Sequence, residues 1–178
     1  MRKTPRRYPE SICLRLTRRC NAACSFCHSP NTGRAELTLE QISDLMRNLS
    51  ALGVRSIKLS GGEPTVRGDL PEIIHTIHDH GMHTVTTTNG IRIRPAVLDA
   101  TERCGAEFKF SIHRPDRTND DVLGIRSFDL IRANMATCVE RGIRFGINSV
   151  VTADVTQLMA PMARFASVHG ARKISFIP

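Results

Sequence analysis

Tryptophan is absent from this sequence, tyrosine occurs once, and aromatic residues make up only 4% of the chain. Proteins that bind single-stranded nucleic acid rely on aromatic rings as stacking surfaces for the bases. The composition therefore argues against nucleic acid as the main partner, although the net charge of +8 favours an anionic ligand or substrate.

Long apolar runs are also lacking. No stretch approaches the roughly 18 consecutive apolar residues of a membrane span, and the basic residues 1–10 do not lead into the apolar core of a signal peptide. We therefore expect a cytoplasmic protein with no membrane partner. In that reducing compartment the six cysteines are not expected to form a disulfide framework, and Cys13, Cys104 and Cys138 are expected to be buried as small apolar side chains.

Short strand-like runs alternate with amphipathic helical runs along the chain. Each predicted helix is followed by a glycine, and Thr38 is predicted to cap the first one. The predicted strands are 12–16, 56–60, 83–88, 107–112, 144–151 and 173–177, and the predicted helices are 39–52, 70–80, 96–104, 127–141 and 155–169. This alternation is typical of right-handed βαβ units, which form a parallel sheet with functional residues at the carboxyl ends of the strands.

The length favours a single α/β domain over residues 1–178, with residues 1–10 as a basic N-terminal extension. A closed eight-stranded barrel typically needs about 250 residues. We therefore expect a partial parallel (β/α)6 TIM-like barrel that ends after its sixth strand. An open doubly wound sheet and a fragment of something longer remain alternatives at this point.

The sequence CNAACSFCH places Cys20, Cys24, Cys27 and His28 on one loop after the first strand. C-x-x-C-H alone is typical of haem attachment, but that interpretation leaves Cys20 unexplained and requires export. A dithiol redox pair normally begins a helix, whereas this motif continues into HSPNTGR, which is predicted to be a loop. A zinc site would need the adjacent Cys27 and His28 on one tetrahedral ion, which is sterically cramped. A zinc module and a three-thiolate iron–sulfur loop both remain open.

Two further motifs follow the next two strands, GGEP at 61–64 and TTNG at 87–90, and the fourth strand carries Ser111. Together with C-x3-C-x2-C, this combination resembles the radical S-adenosylmethionine (radical SAM) superfamily, most closely its molybdopterin-precursor-synthase-like branch. The resemblance extends from Ser11 to Pro178. It implies a radical SAM core with a [4Fe–4S] cluster that leaves one iron open to SAM. It also implies reductive cleavage of SAM to a 5′-deoxyadenosyl radical, which abstracts hydrogen from an unidentified substrate.

The resemblance implies roles for single residues as well. The predicted cluster ligands are Cys20, Cys24 and Cys27, and the predicted SAM contacts are Phe26, Gly61, Gly62, Glu63, Pro64, Thr87, Ser111, Arg126 and Asn148. The backbone of the GGEP motif is expected to meet the SAM ammonium. The two glycines of that motif are expected to let the backbone approach the cofactor, because they carry no side chain.

Lys58 and His113 are the predicted catalytic residues. By strand alternation, Lys58 and Arg15 point toward the barrel interior, where a cation should meet a carboxylate, a phosphate or a strand acid such as Glu107. His113 is predicted to act as an acid or base with an ordinary pKa near 6.5, or to be a structural residue of the turn that contains Pro115.

The sequence departs from the branch where Arg18 and His113 occupy positions that are usually acidic, and it lacks the cysteines of the branch's second cluster. These departures argue against GTP as the substrate and leave a small molecule or a peptide, with an anionic group favoured by the basic residues. The resemblance implies a flavodoxin or ferredoxin as reductant. A dimer or a partner protein is expected to complete the barrel, and the alternative is a truncated or partner-dependent core without independent catalysis.

Overall fold

In the computed structural model of the chain, residues 8–28, 36–151, 153 and 155–177 are described, so part of the predicted N-terminal extension and most of HSPNTGR lie outside them. The described residues form six strands and six α-helices, with one α-helix between successive strands except after the fourth strand, where there are two. The strands are β1 (Ser11–Thr17), β2 (Ser56–Gly61), β3 (His83–Thr88), β4 (Glu107–Ser111), β5 (Phe145–Val150) and β6 (Ile174–Ile177). The helices are α1 (Leu39–Ala51), α2 (Leu70–Asp79), α3 (Pro95–Arg103), α4 (Asn119–Leu123), α5 (Phe128–Glu140) and α6 (Val155–Val168), and a 3-10 turn occupies Pro64–Val66.

The six strands form one parallel sheet in sequence order, from β1 at one edge to β6 at the other. A doubly wound sheet requires a reversal of strand order, and the described strands show none. The sheet is not closed, because β1 and β6 lie at opposite edges. The predicted partial parallel barrel is therefore confirmed, and the doubly wound alternative is wrong.

The predicted elements agree with the observed ones to within one residue at each end. Thr38 caps α1 as predicted: its hydroxyl accepts a hydrogen bond from the Gln41 N–H, and the Gln41 side chain accepts one from the Thr38 N–H. Gly53 after α1 and Gly142 after α5 have φ angles of 85° and 66°. These left-handed conformations end the helices, as the sequence predicts.

Helix α4 is the one described α-helix that the sequence analysis does not predict. It has five residues and ends at Gly124, whose φ is 67°. A helix of this length is too short to display apolar periodicity, so the pattern that reveals the other helices is missing here.

One face of the sheet packs against the helices, and we call the opposite one the open face. Strand residues such as Ile57, Phe108 and Phe110 are buried on the helix face, where the Phe110 ring lies 5.9 Å from Phe108 and 5.3 Å from Phe145 between centroids. The alternate residues form the open face: Cys13, Arg15, Lys58, Val85, Thr87, Lys109, Ser111, Gly146 and Asn148. No helix in the described residues is long and apolar enough to cross a membrane.

The three cysteines outside the loop differ in burial. Cys138 is buried as predicted, and Cys104 is half-buried. The prediction is wrong for Cys13, which is exposed because strand alternation places it on the open face rather than among the helices.

Replacing Phe110 by alanine is expected to lower the free energy of unfolding by about 3–5 kcal/mol, because the ring is fully buried between two other rings. Urea denaturation followed by circular dichroism measures this change. Val168→Ala in α6 is the control, since Val168 is 81% exposed and its loss should cost less than about 0.5 kcal/mol. Equal effects of the two substitutions would contradict this description of the core.

Candidate active site

The three cysteines of the predicted cluster lie on the loop after β1, and none of them is in a disulfide. The pKa of Cys24 is raised to about 11. Burial is the largest cause, and the charges of Cys20 and Cys27 add to it. Burial is also the main cause of the raised pKa of Cys20. The thiols are therefore close enough to influence one another. Cys20 and Cys24 are protonated at neutral pH, so binding a metal must release their protons.

Helix α4 holds the cysteine loop in place. The Ala23 N–H donates to the Leu123 carbonyl at 3.0 Å, and the Ser25 N–H donates to the Val122 carbonyl at 3.0 Å. A Cβ on Gly124 would lie 2.8 Å from the Ala23 carbonyl oxygen, so the loop and the end of α4 meet where only glycine fits. The unpredicted helix thus supplies the acceptors that shape the loop between Cys20 and Cys27.

The two glycines of GGEP fit against the end of β1. The Gly62 N–H donates to the Thr17 carbonyl at 2.7 Å, and the Glu63 N–H donates to the Arg19 carbonyl at 2.8 Å. A Cβ on Gly61 would lie 2.3 Å from the Thr17 carbonyl oxygen, and one on Gly62 would lie 2.2 Å from that of Arg19. Glycine is therefore required here because the backbone of this motif packs closely against the backbone at the start of the cysteine loop.

The Glu63 side chain joins the ends of β2 and β3. Its carboxylate is buried and accepts hydrogen bonds from the Thr65 N–H at 3.0 Å, the Thr65 hydroxyl at 2.8 Å, the Thr88 hydroxyl at 2.7 Å and the Asn89 N–H at 2.6 Å. Burial nevertheless raises the pKa of Glu63. The Asn89 amide in turn donates to the Asn21 side chain at 2.7 Å, which connects the TTNG motif to the cysteine loop.

His113 lies buried at the carboxyl end of β4, against the ring of Phe26 at 4.7 Å between centroids. The ring Nδ1 accepts a hydrogen bond from the Val150 N–H at 3.0 Å. The backbone N–H of His113 donates to the Asn119 side chain at 2.8 Å. Burial, with the charge of Arg114 second, lowers the pKa of His113 to about 4. The predicted ordinary pKa near 6.5 is therefore wrong, because the ring is not solvated.

Three buried polar atoms at this edge have no hydrogen-bond partner among the described residues: His113 Nε2, Asn119 Nδ2 and Asn148 Oδ1. Since His113 Nδ1 is an acceptor, Nε2 carries the proton and is an unused donor. Asn148 Oδ1 is an unused acceptor, and Asn148 pairs with Ser111 across β4 and β5. Buried unpaired donors and acceptors are rare in proteins, so this edge has capacity for a polar ligand.

The other predicted site residues lie around the same edge. Thr87 is half-buried on the open face, Pro64 begins the 3-10 turn after β2, and Arg126 is exposed between α4 and α5. Lys58 is exposed on the open face, and no acid among the described residues pairs with it. Glu107 instead contacts Arg144 at 3.1 Å and His83 at 3.7 Å. The roles of all these residues toward a ligand stay predictions.

Among residues 8–28, 36–151 and the described part of the C-terminal segment, no group of three or more His, Cys, Asp or Glu side chains is placed to hold a single metal ion. A structural zinc site needs four donors around one ion. A [4Fe–4S] cube instead binds its thiolates through separate irons, which spreads the sulfur atoms over a wider region. The three cysteines therefore stay the predicted ligands of the cluster.

Several residues that build this edge are not found by the sequence analysis. Arg67 is only 4% exposed and donates to Asp69, to the Leu16 carbonyl at 3.1 Å and to the Leu37 carbonyl at 3.1 Å. Asn119 belongs to the unpredicted α4. Asn89, which also contributes to this edge, is different because it belongs to the TTNG motif. Its position in that motif is the one sequence signal that could have identified any of these three residues.

Residues 14–163 match the family model of the Radical SAM superfamily. This match covers most of the chain, and the chain belongs to that superfamily. The predicted family is confirmed, and the cofactors of the family are a [4Fe–4S] cluster and S-adenosylmethionine.

Relatives in the superfamily differ in what their names say they act on. The chain is 31% identical over 173 residues to a probable GTP 3′,8-cyclase of Sulfolobus acidocaldarius, covering 94% of this chain and 55% of the relative. It is 32% identical over 173 residues to the PqqA peptide cyclase of Ruegeria pomeroyi, covering 93% and 46%. The chain thus spans about half the length of the curated relatives it matches.

The fold is similar to that of Streptococcus suis SuiB, at 20% sequence identity. The TM-score is 0.84 for SuiB bound to S-adenosylmethionine and 0.87 for SuiB bound to its precursor peptide SuiA, with 95% of this chain and 39% of SuiB covered in both cases. At this identity the likeness establishes the partial barrel and leaves the substrate of this chain open.

Glu63→Gln is expected to lower the free energy of unfolding by about 1–3 kcal/mol. The amide nitrogen that replaces one carboxylate oxygen cannot accept a hydrogen bond from the Thr65 or Asn89 N–H. Urea denaturation measures the change, and Glu72→Gln at an exposed position of α2 is the matched control. A change no larger than that of the control would show that the Glu63 carboxylate does not join the two strands.

The lowered pKa of His113 predicts how the stability of the protein depends on pH. Its folded pKa of about 4 lies below the unfolded value of 6.5, so the unfolded chain binds a proton in this range that the folded chain does not. Stability is therefore expected to fall as the pH drops from 6.5 to 4, with His113 contributing on the order of 3 kcal/mol. Urea denaturation of His113→Gln should show a shallower pH dependence than wild type, whereas the exposed His78→Gln should match wild type. Parallel pH curves for wild type and His113→Gln would disprove the assignment.

Proposed function

We propose that this chain binds a [4Fe–4S] cluster through Cys20, Cys24 and Cys27 and S-adenosylmethionine along the carboxyl edge of β2 to β5. The observation that carries the proposal is a loop of three neighbouring cysteines, anchored beside an edge with unpaired buried polar atoms. When bound, the cluster supplies the electron that cleaves SAM into methionine and a 5′-deoxyadenosyl radical, which takes a hydrogen atom from the substrate.

The backbone of Gly62, Glu63 and Pro64 would receive the SAM ammonium group. The carbonyls of Glu63 and Pro64 already accept hydrogen bonds from the Val66 and Arg67 N–H groups. A carbonyl oxygen has two lone pairs, so each can accept a second donor from the ammonium. The tight 3-10 turn therefore holds these acceptors in fixed directions at the edge.

The other end of SAM would lie against β4 and β5. The unused Asn148 acceptor and the His113 Nε2–H suit the polar groups of the ribose or adenine, with Ser111 beside them and Phe26 against the adenine. A neutral His113 with a pKa of about 4 donates a hydrogen bond at neutral pH, so we assign it to ligand binding rather than to proton transfer. Thr87 is proposed to line the same site.

Two cationic side chains complete the proposed site. Arg126 is exposed on the loop before α5, from which its long side chain can meet the SAM carboxylate. Lys58 lies on the open face, two residues before Ser60 at the end of β2, and is proposed to face the substrate. A cation is suited to an anionic substrate group at this position.

The proposed substrate is a peptide or a small molecule. Peptides are supported by the similarity to the PqqA peptide cyclase and to the fold of SuiB, which binds the peptide SuiA. We propose a cytoplasmic flavodoxin or ferredoxin as the electron donor. A second copy of the chain or another protein would cover the open face.

A second candidate is a core that cleaves SAM only when a partner is bound. It is favoured by the exposure of Cys13 and Lys58 in the middle of the open face, where a complete active site would exclude water. In that case the isolated chain would carry the cluster and remain inactive.

The proposal is tested by anaerobic reconstitution with iron and sulfide, followed by dithionite and SAM. We expect wild type to produce 5′-deoxyadenosine, measured by chromatography, and Cys24→Ala to fall to background because the cluster loses one of its three thiolates. Cys104→Ala is the matched control, since Cys104 lies at the end of α3 beside His75, away from the loop.

Each outcome of this experiment is informative. A bound cluster without SAM cleavage in the isolated chain would support the partner-dependent candidate. One zinc per chain, with no cluster and no cleavage, would disprove the proposed function. Equal loss of activity in Cys24→Ala and Cys104→Ala would show that the loop is not the cluster site.

A further inference from the structure

Lysine is scarce in this chain. Only four of the 25 basic residues are lysines, namely Lys3, Lys58, Lys109 and Lys173, and the other 21 are arginines. Lys3 lies outside the described residues. Lys58 and Lys109 lie in strands and Lys173 directly precedes β6, so the three are far apart in the sequence, yet they lie on the same face of the sheet.

The pairing of the strands brings two of these lysines together. Lys109 lies opposite Gly146 in the pairing of β4 with β5. On the other side of Gly146, the Ile147 N–H donates to the Lys173 carbonyl at 2.8 Å, which places Lys173 next to Gly146. Lys109 and Lys173 thus flank a residue without a side chain, with backbones about 10 Å apart, two strand spacings.

The charges of Lys58 and Lys173 act on Lys109. Burial lowers the pKa of Lys109, and the positive charges of Lys173 and Lys58 lower it further. No described carboxylate forms an ion pair with any of the three. Glu107, two residues before Lys109 on the same face, is occupied by Arg144 at 3.1 Å and His83 at 3.7 Å. The repulsion among the lysines is therefore not relieved within the described chain.

We propose that Lys58, Lys109 and Lys173 form an anion-binding site on the open face, which holds a phosphate or carboxylate group of the substrate. This inference rests on the proposed function and specifies the substrate class. Lys109 lies two residues before Ser111, so the site is about 7 Å along the strands from the carboxyl edge. A substrate anchored by its anion would extend from the lysines toward SAM. The flexible ammonium groups, with three donors each, can converge on either kind of anion.

Isothermal titration of the full chain with tripolyphosphate and with tricarballylate tests the site. The chain is used before iron is added, so that chelation contributes no heat. We expect at least one of the two anions to bind, and Lys109→Met and Lys173→Met each to weaken that binding about tenfold, which corresponds to about 1.4 kcal/mol. Binding of tripolyphosphate alone identifies a phosphorylated substrate, and binding of tricarballylate alone identifies a carboxylate.

Lys3→Met is the matched control, because it removes the same charge from the only lysine outside the set. Thermal melting confirms that each variant is folded. The proposal is overturned if neither anion binds, or if Lys3→Met weakens binding as much as Lys109→Met, since the affinity would then reflect net charge alone.

Lysine titration gives a second readout. Selective [6-13C]lysine labelling yields four side-chain NMR signals, which single Lys→Met variants assign. We expect the Lys109 midpoint to be depressed and to rise when the bound anion is added. A Lys109 midpoint that the anion leaves unmoved would contradict the site. Anion binding by a chain that assembles no cluster and cleaves no SAM would refute the proposed function alone, whereas SAM cleavage without anion binding would refute this inference alone.

Discussion

The carboxyl edge of the sheet depends on one buried carboxylate. Glu63 accepts two backbone and two hydroxyl hydrogen bonds, and these join the turn after β2 to the end of β3. Burying a carboxylate is costly unless hydrogen bonds satisfy it, so the surrounding Thr65, Thr88 and Asn89 are as necessary as the glutamate. The acidic residue of GGEP therefore has a structural role that is separate from any contact its backbone makes with a cofactor.

Backbone contacts also connect this edge to the end of β1 and to helix α4, which follows β4. Gly61 and Gly62 meet the carbonyls of Thr17 and Arg19 at distances that no side chain would permit, and α4 receives the cysteine loop from the other side. The loop is consequently held at both flanks before any metal binds. Such preorganisation limits the conformational entropy that is lost when three thiolates are gathered around a cluster.

The local parts of this architecture could be predicted from sequence, and the long-range parts could not. Strands, long helices and the motifs at strand ends are encoded within short windows, and Thr38 and the helix-ending glycines mark their limits. Helix α4 escaped because five residues carry no periodic signal. The low pKa of His113 depends on burial by distant residues, and the proximity of Lys109 and Lys173 depends on strand pairing through Gly146. Neither can be obtained from a residue and its neighbours in the chain.

The distribution of basic residues separates two regions of the sheet. Two arginines make fixed contacts: Arg67 with Asp69 near the edge, and Arg141 with Asp99 and Glu102 between helices. A planar guanidinium suits such permanent pairs because its donors have fixed directions. Lysines on the open face have no comparable partner among the described residues, and their ammonium groups reorient at little cost. These two arginines therefore stabilise the helices and turns around the sheet. The lysines lie on the open face, where their positive charge is available to a ligand that must bind and dissociate.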